Sequence, residues 1–492
     1  MATTLESQTL PVTAQRVVEH VDPRRWRALS IILLAAFMDI LDATVVTLAF
    51  PFMQRDLGAS YAEMQWVVAS YQLAFATLLI TGGRLGDMFG RKRLFVGAVA
   101  GFIGSSMLVA LSQSPSMLIA ARVLQGAIAG LMVPQVLSLI QASFPPRERG
   151  AAFGAFGAAI GLGNVGGPLI AGLLLQADLL GLTWRPIFLM NLPLGLVALV
   201  GGALLIRESR SDHPLRLDLA GVLLATAGVM LVLFPLVQGR DLGWPLWTFV
   251  AMALSVPVFG VFALYERARS RTHSALVPIA LFRQRAFVGG LLVALTLFSG
   301  IVAFFVVYSV LVQAGMRLTP IQAGLTALAW PLGIGIASGA SIRLAPRVGR
   351  PLLSVGALLM VLGMGAIIGA LRLAGADVTP WHFVPGMALG GLGMGAIAPT
   401  LTDFVLAGVA ESDAGAASGV LNTIFQVGAA VGVAVIGGVF FGSLPGHLGQ
   451  FVQLSAYLDA TERALWCEVG AFALTFLLVP LLPRKPQIHG EF

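Results

Sequence analysis

A single cysteine, Cys467, stands in a chain of 492 residues. One thiol excludes an internal disulfide and any metal site built from several cysteines. Charge is scarce as well: Asp, Glu, Lys and Arg make up 11% of the chain, against about 25% in a soluble domain. No Gly-x-x-x-x-Gly-Lys-Ser/Thr stretch occurs, so there is no phosphate cradle for an ATP-driven machine. The histidines, His20, His213, His273, His382, His447 and His489, fall in tails, loops or the edges of apolar runs. That argues against a histidine proton switch in the membrane. With no His cluster, Ser/His pair or metal-ligand spacing, it also argues against an enzyme. No loop is long enough for a soluble signalling domain, which disfavours a membrane sensor.

What is abundant is apolar. Hydrophobic residues make up 57% of the chain, and the mean hydropathy is +0.89. The expectation is an all-α polytopic membrane protein, because an open sheet cannot satisfy its backbone in lipid. Fourteen apolar runs reach spanning length: 27–49, 63–82, 94–112, 117–141, 151–175, 187–206, 219–237, 247–265, 287–313, 320–342, 352–372, 384–408, 416–441 and 464–482. Many glycines lie within these runs, which favours close helix packing. Lys and Arg fix the orientation. With the N-terminus inside, 23 of them fall in inner tails and loops and six in outer loops, while Arg122 lies within a span. Both termini are therefore expected in the cytoplasm. The net charge of +7 is a topology signal rather than a nucleic-acid surface.

The chain repeats itself. Arg84, Leu85, Gly90, Arg91 and Gly97 fall on Arg343, Leu344, Gly349, Arg350 and Gly356 at an offset of 259. Runs 9–14 thus repeat runs 1–6, and runs 7 and 8 are an insertion expected at the periphery. Two parallel halves suit a rocking secondary transporter. The domains expected are an N-tail (1–26), a six-helix bundle (27–213), two added helices (214–270), a second six-helix bundle (271–483) and a tail (484–492).

The first run carries Asp39 and Asp42 near its centre. A carboxylate there costs on the order of 2.5–3.5 kcal/mol, so it must face a protein interior or a hydrated cavity. Three-residue spacing puts both on one helix face. Arg122 needs a partner for the same reason. Counting about 1.5 Å per residue from either membrane face places Arg122 near the depth of Asp42, with Asp39 one turn deeper. The expected pair is Arg122 with Asp42 or Asp39, the alternative being that Arg122 caps backbone carbonyls. Asp39 is read as a second proton or cation site, as the anion that attracts a cationic substrate, or as a hydrated carboxylate with no transport role. Asp403, four residues after Pro399, stands either in the pathway or at the inner interface. Asn422 and Gln426 share a face of run 13 and could bond substrate or another helix. Glu468 is expected at the outer interface.

Gly83-Arg-Leu-Gly-Asp-Met-Phe-Gly-Arg-Lys-Arg93 resembles the Gly-x-Leu-x-Asp-Arg-x-Gly-Arg-Lys/Arg loop of the major facilitator superfamily. Its logic is a glycine turn, with Asp87 at a helix end and basic residues such as Arg91 to pair with it. Gly83, Asp87, Gly90 and Arg91 are the candidate gate, holding the cytoplasmic side shut. Leu41-Asp-Ala-Thr-Val-Val-Thr-Leu-Ala-Phe-Pro51, Arg122-Val-Leu-Gln125-Gly126 and Trp184-Arg-Pro-Ile-Phe-Leu-Met-Asn191-Leu-Pro193 resemble motifs of its fourteen-helix drug:proton antiporter family. Gly157-Ala-Ala-Ile-Gly-Leu-Gly163-Asn-Val-Gly-Gly167-Pro168 resembles the motif that marks its exporters. Gly163, Gly167 and Pro168 are expected to make a dry, bendable seam between the halves.

The resemblance implies the major facilitator fold and proton-driven export of small, largely apolar drugs, dyes or antibiotics through the inner membrane. Asp42, Asp39 and Arg122 would couple protons. Asp39, Gln125, Asp403, Asn422 and Gln426 would meet substrate, so that one carboxylate face serves both ligands in turn. The protein is expected to be a monomer with no cofactor, no metal and no nucleic-acid partner. The alternatives are a proton-coupled metabolite importer and a lipid or envelope-precursor translocator on the same scaffold.

Overall fold

The computed structural model describes residues 23–484, apart from 178, 210–217, 240–241, 270–275, 411–412 and 445–452. The expectations for the tails through residue 22 and from residue 485, for His20, His213, His273, His447 and His489, and for the joins at 213–214 and 270–271 lie outside the described residues. Among the described residues there is no strand.

Fourteen long helices carry the chain. They are α1 (Arg25–Leu57), α2 (Tyr61–Phe89), α3 (Arg91–Ala110), α4 (Pro115–Ser143), α5 (Pro146–Ala177), α6 (Asn191–Leu205), α7 (Leu219–Gln238), α8 (Leu246–Arg269), α9 (Arg285–Val310), α10 (Ala329–Val348), α11 (Arg350–Ala374), α12 (Val384–Ala407), α13 (Ala414–Gly432) and α14 (Leu454–Leu478). Thirteen helical segments among the described residues are long and apolar enough to cross a membrane. The remaining one is the glycine-rich α5, 32 residues long. The last helix begins at Leu454, well before the apolar run that starts at 464. Its first turns carry Asp459, Glu462 and Arg463, which read as a loop by polarity. Glu462 pairs across to Arg372 at the end of α11, so this polar start is helical and anchored.

Local chemistry sets the ends. Ser60 and Glu63 form a capping box at the start of α2, answering two of the backbone donors a helix start leaves open. Two hydrogen bonds from Ser60 hold the Glu63 carboxyl below the usual range. At Gly90 (φ 103°) and Gly349 (φ 65°), α2 turns into α3 and α10 into α11 within one residue, through backbone that glycine adopts at no steric cost.

The packing obeys the repeat. In the first half α2 packs on α4, α3 on α4, α1 on α5, α1 on α6 and α3 on α6. Adding eight to each helix number gives α10 on α12, α11 on α12, α9 on α13, α9 on α14 and α11 on α14, all of which occur. The backbone ties repeat too: Arg91 N–H donates to Ser209 O at 2.9 Å, and Arg350 N–H to Arg484 O at 3.2 Å. Between the halves, α2 meets α13 and α10 meets α5, the same contact made in each sense. The inserted pair behaves unequally. In α8 only Thr248, Ser255 and Glu266 are buried. In α7, Val229 and Leu233 cluster with Leu73 and Ala76 of α2, against Val427 and Ala430 of α13. That helix covers the seam between the halves.

Candidate functional site

Five helices of the first half send polar side chains to one buried point. Asp42 on α1 is 0% exposed and Arg122 on α4 is 1% exposed. Arg122 Nη1 donates to Asp42 Oδ2 at 2.5 Å and to Gln125 Oε1 at 2.7 Å. Its Nε donates to the Val67 carbonyl at 3.3 Å. Gln125 Nε2 and Asn191 Nδ2 each donate to Asp42 Oδ1 at 2.9 Å. Ser106 Oγ on α3 accepts from the same two amides, at 2.9 and 3.2 Å. Asp42 therefore accepts three side-chain donors, an arrangement fitted to the ionised carboxylate. A buried pair persists only when such extra bonds satisfy its remaining atoms.

Asp39 joins this point through an aromatic ring. Tyr71 Oη on α2 donates to Asp39 Oδ1 at 2.5 Å, while the Arg122 guanidinium lies 4.0 Å over the same ring. Both carboxylates thus bear on one guanidinium, Asp42 directly and Asp39 by way of Tyr71. Arg122 sits with Asp42 rather than Asp39 and takes one carbonyl besides, so the two expectations for it are combined. Gln125, expected to meet substrate, is fully enclosed and spent on Asp42 and Ser106. The structure adds Tyr71, Ser106 and Asn191 to the site residues that the sequence points to. Asn191 lies within the quoted Trp184–Pro193 motif and opens α6; Tyr71 and Ser106 carry no local pattern that marks them.

At the face holding the basic loops, Asp87 is buried and accepts from Arg91 Nη2 at 2.9 Å and Nε at 3.2 Å. Arg84 reaches toward Asp87 (3.9 Å) and Asp413 (4.0 Å). Burial pushes the Asp413 carboxyl up, with Arg84 opposing. Nearby, hydrogen bonds from Arg25 hold the Glu148 carboxyl down. The start of α13 closes on this group. A Cβ at Gly83 would fall 2.0 Å from the Gly415 carbonyl oxygen, and one at Gly415 only 2.5 Å from Asp87 Oδ2. Asp87 thus faces a helix N-terminus, which favours negative charge. Gly90 faces Glu208, whose carboxylate accepts the Lys92 N–H at 3.1 Å.

The glycines of α5 split between two partners. A Cβ at Gly163 would meet Ile40 at 2.8 Å, and one at Gly167 would meet Thr44 at 2.0 Å, both on α1 of the same half. Gly161 instead faces the other half, against Pro331 at 3.2 Å. The expected seam between the halves at Gly163 and Gly167 is therefore a seam inside the first half. Six residues from Gly157 to Gly163 turn a helix through about 1.7 turns, onto a different face. Pro168 lies within α5; its side chain is outside the described residues.

Beyond Gly161 the halves enclose a cleft with about 880 Å³ of empty space, open solvent included. Phe153 and Phe156 of α5 line it with Phe298, Phe305, Trp330 and Phe425 of the second half; Thr402 is its polar contributor. Phe298 and Phe425 stack at 4.1 Å. Asp403 is half-buried, feels the charge of Arg149 and does not line this cleft. Asn422 donates to Ser418 O of its own helix at 2.9 Å. Gln426 is half-buried beside Phe425. None of these three reaches the Asp42 cluster. Glu468, expected at an interface, is 0% exposed, because α14 turns it inward between α9 and α11 rather than toward its polar end.

No group of three or more metal-ligating side chains occurs among the described residues. The family model of the Major Facilitator Superfamily matches residues 32–433. A "Probable actinorhodin transporter" of Streptomyces coelicolor is 44% identical over 90% of this chain and 77% of its own length. "Puromycin resistance protein pur8" of Streptomyces alboniger is 37% identical over 94% of this chain and 92% of its own. The "Tetracenomycin C resistance and export protein" of Streptomyces glaucescens is 34% identical over 84% of this chain and 76% of its own. The crystal structure of the human organic anion transporter MFSD10 (TETRAN) superposes with a TM-score of 0.64 at 17% identity, covering 93% of this chain and 100% of that one. It speaks for the fold alone. The chain is a multi-pass membrane transporter, not an enzyme, and it belongs to the Major Facilitator Superfamily.

Proposed function

We propose that the protein exports small, largely apolar antibiotics or similar compounds from the cytoplasm in exchange for protons. The observation that carries this is the enclosed Asp42–Arg122 pair, standing one helix away from an aromatic cleft between the halves. Relatives named for actinorhodin, puromycin and tetracenomycin C point to substrates of that kind. The basic face is the cytoplasmic one, the membrane is the inner membrane, and the working unit is a monomer without a cofactor.

The reading separates proton from substrate. Ile40 and Thr44 of α1 face α5, whereas Asp42, two residues from each, projects from the opposite side of the helix. Asp42 thus points into the first half, away from the cleft. In the cycle, a proton entering from outside neutralises Asp42 and weakens its hold on Arg122, Gln125 and Asn191. Helix α1 is freed from α4 and α6, and the tight Gly163 and Gly167 contacts carry α5 with it. Because α5 lines the cleft, the substrate site feels the proton through packing rather than through a shared carboxylate. Asp87, Arg91 and Arg84 close the cytoplasmic face in this conformer by meeting the start of α13.

The test is purified protein in liposomes with an imposed pH gradient, following a lipophilic dye and internal pH together. Dye movement against proton flow in wild type, lost in Asp42→Asn, is the expected result. Movement with the protons makes the protein an importer. Gradient-independent movement refutes the coupling.

A further inference from the structure

Each half buries a polar side chain on its last helix. In the first half it is Asn191, whose amide serves Asp42. In the second half it is Glu468 on α14. Among the described residues neither Glu468 oxygen has a hydrogen-bond partner. The residue lies on the face formed by Ala460, Ala464, Phe472 and Thr475, all buried. That face packs on α9 and α11. Above Glu468, Ala460 and Ala464 cluster with Ala303 and Val307 of α9. Below it, Phe472 fills the space over Gly300, and Thr475 donates to Thr296 at 2.9 Å.

Among the described residues no charge answers it. On α9 the titratable groups are Arg285, at the basic-face end, and Tyr308, bonded to Thr326. On α11 they are Arg350, held by the carbonyls of Pro480 and Leu482, and Arg372, paired with Glu462 at the far end. Asp377 lies beyond that end. The π-helical segments Leu311–Gly315 and Val433–Gly437, which also touch α14, carry no charge. On α14 itself Tyr457, Asp459, Glu462 and Arg463 lie in the first turns, and Cys467 is the chain neighbour. An ionised carboxylate enclosed without a partner costs so much that the group takes up a proton instead.

We propose that Glu468 is a second proton-binding site, separate from the Asp42 cluster. It carries a proton whenever α14 is packed on α9 and α11, and gives it up when those helices part. Substitutions at the first site leave it intact, so this assignment stands apart from the antiport reading. The two π-helical segments on neighbouring helices mark where such parting would begin, since irregular turns of this kind commonly sit at functional sites.

The experiment is infrared spectroscopy and equilibrium unfolding of the full chain in detergent micelles, for wild type, Glu468→Gln and Asp42→Asn. At neutral pH the protonated-carboxyl carbonyl absorption of wild type and Asp42→Asn contains a component that Glu468→Gln lacks. The folded protein holds this proton and the unfolded chain releases it. The wild-type unfolding constant therefore rises relative to Glu468→Gln, by about tenfold per pH unit above the ordinary Glu range. Superimposable spectra, or parallel pH profiles, overturn the proposal. Should Glu468→Gln fail to fold, wild type labelled with carboxyl-13C glutamate gives the same answer, with Glu266→Gln separating the other Glu that is buried among the described residues. A glutamate carbonyl band that survives Glu266→Gln supports the site, and none surviving refutes it.

Discussion

The two halves share one frame and divide the chemistry between them. Tyr71 of α2 corresponds to Trp330 of α10 at the repeat offset of 259. The first bears on Asp39 and Arg122, whereas the second stacks on Phe304 at 5.3 Å. Gly126 accommodates the Tyr71 backbone and Gly391 the Trp330 backbone at nearly equal distances, 2.2 and 2.1 Å from a Cβ to the carbonyl oxygen. Counted from those glycines, Arg122 corresponds to the buried Met387 and Gln125 to Gly390. The contacts of Ile40 with Gly163 and Thr44 with Gly167 recur as Leu295 with Gly428 and Ser299 with Gly432, so the position matching Asp42 is the buried Leu297. Packing contacts fixed by glycine and helix phase are kept in both copies, while the Asp42–Arg122 ion pair is present in one. A rocking protein needs both halves to move alike, but it needs a buried charge in only one of them.

The largest test of this division is to remove the charge where it sits. Asp42→Asn is expected to lower gradient-driven export by roughly a hundredfold or more, since breaking a buried pair costs about 3–5 kcal/mol. Arg122→Ala should cost similar stability, read as a lower denaturation midpoint in micelles. The double variant Asp42→Asn/Arg122→Ala should lose less than the sum of the two, because the partner that each single variant leaves unpaired is then gone. Additive losses would mean that the two residues do not act as a pair. In the second half, Met387→Leu should cost less than about 1.5 kcal/mol of stability, read from the same midpoints.

Next in size is the contact where the halves meet. Gly415→Ala puts a methyl group 2.3 Å from the Gly83 carbonyl oxygen and 2.5 Å from Asp87 Oδ2. Neither the helix backbone nor a buried carboxylate gives way readily, so the start of α13 must move off. The expected cost is about 1–3 kcal/mol. The measurement is labelling of a cysteine placed at Ser418, where Ser138 now approaches at 3.4 Å, in a Cys467→Ser background. Faster labelling from the cytoplasmic side is expected in the alanine variant, and an unchanged rate would deny this contact a closing role.

The frame was legible in the sequence because it rests on patterns that survive as patterns. Apolar length, basic loops and the repeat of Arg84–Arg91 at Arg343–Arg350 locate the helices and pair the halves. The Asp42–Arg122 partnership was legible for a simpler reason: two opposite charges at equal depth have little else to bind. What stayed hidden depends on helix phase and on distant contacts. Tyr71 and Ser106 look ordinary until α2 and α3 are packed. Gly163 and Gly167 share a motif with Gly157 and Gly161 but face another helix. Glu468 follows Asp459, Glu462 and Arg463, and their polarity made an enclosed carboxylate look like part of an exposed end.

A smaller effect is expected from the cleft. Phe298→Ala and Phe425→Ala each remove one ring of the stacked pair, worth about 0.5–1.5 kcal/mol beyond its buried area. The apparent affinity for a flat aromatic dye should fall about 2- to 10-fold. The pH at which export is half-maximal should not move, because neither ring touches the Asp42 cluster. A shift in that pH would join the two sites and end the division drawn between them.

The smallest effect lies at Asp413, and its sign is informative. Two influences compete there: burial pushes the carboxyl up, and Arg84 at 4.0 Å pulls it down. With burial the stronger, the folded protein takes up the proton at a higher pH than the unfolded chain does. The stability from this group is then fully present below the unfolded value and is lost as pH rises through the folded one. Across the mildly acid range, wild type should therefore lose stability relative to Asp413→Asn as pH rises. The side chain is 27% exposed, so solvent screening keeps the change to about 1 kcal/mol or less. Denaturation midpoints at several pH values for the two proteins would show it. The opposite slope would mean that Arg84 dominates. The charge pair would then hold the start of α13, and Asp413 would rank with Asp87 as part of the closing contact.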